Sequence, residues 1–169
     1  MSIKDEIKDK CDRKMIFPLV PLVPGATMRR AMFISEELWN DLNSEEGDLE
    51  WEERIGQLQA DLENFVTARA IDSKYLFLLY PSRDCVWEIR SRRPSPSIRV
   101  LGQFAQRDVL ITTNMALRKD LGGWQSRGWK EVKRASRAIW DWLFGTYRPV
   151  QTVDVNEVIS GAIDGKYFK

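Results

Sequence analysis

A chain of 169 residues with 43% hydrophobic and 11% aromatic content, seven tryptophans included, has ample material for one packed domain with some extra elements and does not have the composition of a disordered protein. It has no histidine and only two cysteines, Cys11 and Cys85, which removes Ser-His and Cys-His catalysis, leaves too few ligands for a structural zinc site, and leaves any proton transfer to Lys, Arg, Tyr, Asp, Glu, Cys or water. The formal net charge is only +1, but residues 31–84 hold 4 basic and 13 acidic side chains and residues 86–137 hold 12 basic and 4 acidic ones, so the basic half suits a polyanion unless the two halves neutralise each other within the fold.

The opening MSIKDEIKDKCDRK (1–14) alternates in charge; it reads as a short helix or a frayed end and not as a signal peptide. The run MIFPLVPLVPG (15–25) is too short and too broken by Pro18, Pro21 and Pro24 to span a membrane, and its prolines predict an extended backbone. It fits a strap on the domain surface, a docking segment for a partner, or a cover over the basic face. A cytoplasmic protein with reduced thiols is the expectation. MRRAMFIS (28–35) predicts a strand. Ser35, followed by two acids, predicts a helix start, with the helix near 36–43. A second helix is predicted from about 49 to 70, where Ile55, Leu58, Leu62, Phe65 and Val66 recur at helical spacing under an acidic outer face.

The period then changes. KYLFLLYP (74–81) predicts a buried strand. In CVWEIRS (85–91), Val86, Glu88 and Arg90 alternate with Trp87 and Ile89. PSPS is a loop, IRVLGQFA (98–105) the next strand, and VLITTN (109–114) the last; Gly102 in mid-strand predicts a bulge or bend. MALRKDLGGWQSRG predicts a loop. A helix follows at about 129–144, with Val132, Ala135, Ile139 and Leu143 as its buried stripe and Lys130, Lys133, Arg134 and Arg137 on one shared face. A further short helix is expected near 154–163. The order is an α+β layout: one strand, two helices, an antiparallel multi-strand sheet and a terminal helix, with helices on one sheet face and the other open to a ligand.

Between Ile89 and Arg107 there is no acid, while Arg90, Arg92, Arg93, Arg99 and Arg107 fall within or at the end of that run. WEIR (87–90), IRVLGQFA (98–105), DVLITTN (108–114), ALRKDLG (116–122) and WKEVKRASR (129–137), in this order, resemble the RelE/ParE superfamily of toxin–antitoxin toxins, in its HigB-like and phage Gp49-like branch. The resemblance covers about residues 28–144. It implies a RelE-like toxin domain at 28–145, flanked by an N-terminal arm (1–27) and a C-terminal tail (146–169). It also implies a cognate antitoxin, mRNA and the ribosome as partners, and no metal or other cofactor; the oligomeric state stays open.

Many members of that superfamily cut mRNA on the ribosome by attack of the RNA 2′-OH on the adjacent phosphate. Such a reaction needs preorganised cations on the phosphate, a base at the 2′-OH and a proton source at the leaving oxygen. On the resemblance, Arg99 is the phosphate clamp and Arg90 faces the RNA. Glu88, two residues earlier, orients Arg90 or acts as base. Arg118 and Lys119 match the basic segment after the last central strand, and Lys119, crowded by cations, is a candidate base. The RNA-binding set adds Arg92, Arg93, Arg107, Trp124, Lys130, Lys133, Arg134 and Arg137. Trp129 reads as a core plug, and Trp124 as a plug or a platform for an unpaired base. The His or Tyr that several relatives carry has no clear match here; Tyr147 is the one candidate acid. A non-enzymatic toxin of the gyrase-inhibiting kind, or a phage-derived nucleic-acid or protein-binding module, is the alternative.

Overall fold

The computed structural model describes residues 2–163 and 165–168; residues 1, 164 and 169, at the ends and in the tail, lie outside the described residues. Six strands form one mixed sheet in the order β1-β2-β6-β5-β4-β3, where β1 is Ile16–Pro18, β2 Ala31–Ser35, β3 Leu76–Leu78, β4 Trp87–Ser91, β5 Ile98–Gln106 and β6 Val109–Leu117. Strands β3 to β6 make the antiparallel meander expected from their short connections, and β2 joins β6 in parallel. The helices are α1 (Ile3–Asp12), α2 (Glu36–Leu42), α3 (Leu49–Thr67), α4 (Arg118–Leu121) and α5 (Arg127–Phe144). The class is α+β.

Helix starts follow the capping chemistry of the sequence. Ser2, Ser35, Asp48 and Ser126 each accept a backbone N–H in the first turn of α1, α2, α3 and α5. Helix α3 buries all five apolar residues of its predicted stripe. They pack on Met32, Ile34, Trp87, Ile89, Val100, Phe104 and Leu110 of the sheet.

The open second face does not exist in the form expected. Ile111, next to Leu110 on β6, points to the other side, where it packs with Ile7 of α1 and Trp140, Leu143 and Phe144 of α5. Helices therefore cover both faces. The buried stripe of α5 also differs from the expected one: it is Trp129, Lys133, Ser136, Trp140, Leu143 and Phe144, whereas Val132, Ala135 and Ile139 are only half-buried. The reason is that α5 lies on polar sheet residues. Ser136 hydrogen-bonds Thr113 (2.6 Å), Gln103 donates to the Ser136 carbonyl (3.1 Å), and Asn114 donates to the Val132 carbonyl (3.1 Å). A polar seam accepts Ser136 and excludes the aliphatic register.

The arm and tail segments are built into the same unit. β1 is an edge strand on β2, and Ile7 and Ile16 are core residues. That edge is the far one from β3 and β4, so β1 does not lie beside the strands that carry Arg90 and Arg99. The tail forms one short turn at Val155–Glu157 in place of the expected helix, and buries Val158, Ile159 and Tyr167 in the α3-side core. Arg30 ties these parts together, donating to the carbonyls of Phe65 (2.8 Å), Ala68 (2.7 Å) and Ser160 (2.7 Å).

The pairing of β5 with β6 shifts register between Leu101 and Gly102, at the glycine that predicted a bulge. A Cβ added there would lie 2.6 Å from the Ile111 carbonyl oxygen, which is backbone and has little room to yield. Gly102→Ala is expected to lower stability by about 1–3 kcal/mol, read as a lower urea midpoint at unchanged slope.

Candidate functional site

Strand alternation sends Glu88, Arg90 and Arg99 to the α5 side, because Trp87, Ile89, Ile98 and Val100 occupy the α3 side. Arg90 and Arg99 stand directly across from each other on β4 and β5. Like charges in that position repel, and Glu88 offsets them. Its Oε1 accepts from Arg90 Nε at 2.7 Å, and its Oε2 lies 3.6 Å from Arg99 Nε. Glu88 is 3% exposed, and its Oε2 accepts no hydrogen bond within the protein. Arg99 also donates to Ser97 Oγ (2.8 Å), and the Arg90 guanidinium rests on the Phe77 ring, 4.6 Å from its centre.

These three side chains line a cavity of about 130 Å³ between the sheet and the start of α5. Arg118, Lys133 and the aromatic rings of Phe77, Tyr80, Trp124 and Trp129 complete its wall. Arg118 donates to the Gly122 carbonyl (2.9 Å) and lies over the Trp129 ring. Trp129 is buried, as expected of a core plug, but its Nε1–H has no acceptor within the protein. Lys133 is buried on the α5 stripe and donates through Nζ to the Tyr80 carbonyl. Burial pushes its pKa down, Asp84 partly opposes this, and Arg137 and Lys130 add to it. The Arg99 pKa is likewise lowered, first by burial, with Glu88 opposing and Arg90, Arg92 and Arg118 reinforcing.

An open groove of about 380 Å³ shares Tyr80, Trp124 and Lys133 with the cavity and carries Lys130, Arg134 and Arg137, with Asp84 and Gln125. The four cations predicted to share a helix face thus line one groove. Arg137 pairs with Asp84 at 3.4 Å, and among the described residues this is the one ion pair joining segment 31–84 to segment 86–137. The two halves do not cancel each other through direct pairs. Arg54, buried in the acidic half, is spent on backbone, donating to the carbonyls of Pro96 and Ser91 (2.7 Å each).

Those bonds hold the base of the 92–97 loop and leave Arg92 and Arg93 exposed. The two arginines border a separate groove of about 560 Å³ against α3, with Asp61, Asp72 and Lys74 across from them; Arg90 borders both sites. Three other expected residues are not brought together with the cavity. Lys119 is exposed on α4 and does not line it. Arg107 sits at the β5–β6 turn and donates to the Asn156 carbonyl of the tail (2.9 Å). Tyr147 packs against the α1–α5 core, and its carbonyl accepts from Trp140 Nε1 (2.9 Å). Tyr80 was missed in the sequence because it ends an apolar strand run; the Tyr-Pro step that follows is the one signal that the chain turns there.

Among the described residues, no helix is long and apolar enough to cross a membrane, and no group of three or more Cys, Asp or Glu side chains is arranged to hold a metal ion. Comparison with protein-family models, curated proteins and solved structures finds no match to this chain.

Because folding lowers the Lys133 pKa, the unfolded chain binds more protons than the folded one between the folded value and the ordinary 10.5, so this residue's contribution to stability rises with pH there. Lys133→Met is therefore expected to raise the urea midpoint at pH 7, the gain shrinking as pH approaches 10.5.

Proposed function

We propose that this protein is a toxin of the RelE/HigB kind: a metal-independent, ribosome-dependent mRNA endoribonuclease. The observation that carries the reading is the buried Glu88 carboxylate, whose Oε2 has no hydrogen-bond donor, at the floor of a cavity lined by Arg99, Arg118 and Lys133. A bound RNA phosphodiester would offer a donor and an acceptor together. The 2′-OH can donate to Glu88 Oε2, and the non-bridging oxygens can accept from the guanidinium groups.

In the reaction, Glu88 takes the 2′-OH proton as the 2′-oxygen attacks phosphorus. Arg99 and Arg118 stabilise the negative charge that builds on the phosphoryl oxygens. The bond from phosphorus to the 5′-oxygen breaks, and Lys133, buried and with a lowered pKa, supplies the proton to the leaving oxygen. The products are a 2′,3′-cyclic phosphate and a 5′-OH end. Lys133 replaces Lys119 and Tyr147 in this scheme because it lines the cavity and they do not. The ordered motifs from WEIR to WKEVKRASR and the α+β frame support the family assignment.

One observation favours a second reading, a non-enzymatic binding toxin or module on the same fold. The 2.7 Å contact from Arg90 to Glu88 suits a carboxylate whose task is to position an arginine. The two readings separate on Glu88→Gln. Transcript 5′ ends are mapped after induction in a bacterial host. The nuclease reading expects new ends inside translated codons, absent with Arg99→Ala and reduced about 10²–10⁴-fold in rate with Glu88→Gln, which should still bind RNA. Growth arrest without new ends would move the assignment to the binding toxin. Neither arrest nor cleavage would leave a polyanion-binding module.

A further inference from the structure

Tyr80 and Trp124 stand at the junction of the cavity and the basic groove and line both. They are 51% and 49% exposed, large rings outside both core clusters. Their ring centres are 5.1 Å apart and their planes nearly perpendicular, at 88°. A T-shaped pair turns the edge of one ring to the face of the other and leaves further ring surface for a third flat group.

The surroundings fix the backbone on either side of the two rings. The carbonyl of Tyr80 accepts from Lys133, which ties the Tyr80 backbone to a cation of the cavity wall. Trp124 lies in the short loop between α4 and α5. That loop is closed at one end by Gly122, at φ +70°, and at the other by Ser126, which caps α5 and donates to the Leu121 carbonyl. Helix α4 and the start of α5 approach so closely that a Cβ on Gly128 would lie 3.0 Å from the carbonyl oxygens of Asp120 and Leu121. The loop ends are thus fixed while its tip, with Trp124 and Gln125, is exposed.

We propose that Tyr80 and Trp124 form a stacking platform for one unpaired RNA base, placed beside the phosphate that the cavity holds. This rests on the reading of the cavity as a phosphodiester site and adds its substrate class: single-stranded RNA with an intact base at the position next to that phosphate. A cavity of about 130 Å³ takes a phosphate and part of a ribose, whereas the 380 Å³ groove beyond the two rings has room for a base. The groove's cations, Lys130, Arg134 and Arg137, then follow the continuing backbone. Duplex RNA cannot present a splayed base to such a platform.

The test is fluorescence anisotropy of the full chain with an end-labelled seven-nucleotide RNA and with the same RNA made abasic at each position in turn. For wild type, one abasic position should lose far more affinity than the others. Trp124→Ala should weaken binding of the intact RNA roughly 5- to 150-fold, the equivalent of about 1–3 kcal/mol. It should not weaken binding of the RNA lacking the critical base, and Trp124→Phe should retain most of the affinity. Equal weakening by Trp124→Ala on intact and abasic RNA would make Trp124 a support for the loop and overturn the platform. An unchanged affinity for both, with Arg99→Ala still losing binding, would also overturn the platform while leaving the phosphate site standing. Absence of RNA binding by the wild type would overturn the platform, and the phosphate reading would then stand or fall on whether Arg99→Ala abolishes the mapped cleavages.

Discussion

The two-residue alternation of β4, β5 and β6 is the constraint on which the molecule turns. One face of these strands must be mainly apolar, because α3 packs its apolar stripe there. The other face is therefore where the charged residues of β4 and β5 go, whereas Ser91, on the α3 side, is bonded by Arg54 and Asp61 of α3. Glu88, Arg90, Arg99, Gln103 and Thr113 all arrive under or beside α5 for this one reason. Helix α5 answers with a polar seam at Ser136 where it crosses the sheet centre, and with Lys133 and Trp129 where it reaches the arginines. Any register slip by one residue would turn the charges into the α3 core.

Burying a carboxylate is costly unless it is paired, and breaking such a pair costs more than never having made it. Here the arrangement is asymmetric: one buried acid serves two arginines, and its second oxygen is left without a hydrogen bond. Two more cations, Arg118 and Lys133, share the same small cavity with no further acid on its wall. A site designed only for stability would balance these charges. The surplus is sustained by backbone carbonyls, uncharged acceptors that hold Arg118 and Lys133 and leave their charge uncancelled. The proposed phosphate site draws on this surplus of positive charge.

The arm and the tail complete the fold rather than decorate it. β1 extends the sheet on the side away from the cavity, α1 covers part of α5, and the tail closes the α3-side core through Val158, Ile159 and Tyr167. Arg30, a buried cation with carbonyl partners from α3, the following turn and the tail, joins these pieces. The tail also pairs with β3, where Leu78 N–H donates to the Tyr167 carbonyl.

Much of the frame is legible in the residues themselves. Ser35, the α3 stripe, the alternation in WEIRS and the bulge at Gly102 are local signals, since each depends on a period or a backbone preference that neighbours in sequence already express. The grouping of Glu88, Arg90 and Arg99 follows from alternation as well, and the arginine run marks their region. Other features are decided by contacts between segments far apart in the chain. Helix periodicity alone cannot show that Lys133 and Ser136 are buried while Val132 and Ile139 stay half-exposed, because that depends on the polar residues the sheet presents to α5. Nor can composition separate Lys133 from Lys119: only packing against Tyr80 places the first in the cavity and leaves the second in solvent. The pairing of Tyr80 with Trp124 joins residues 44 positions apart, and it is the turn after β3 and the α4–α5 loop, meeting over one end of the sheet, that create it.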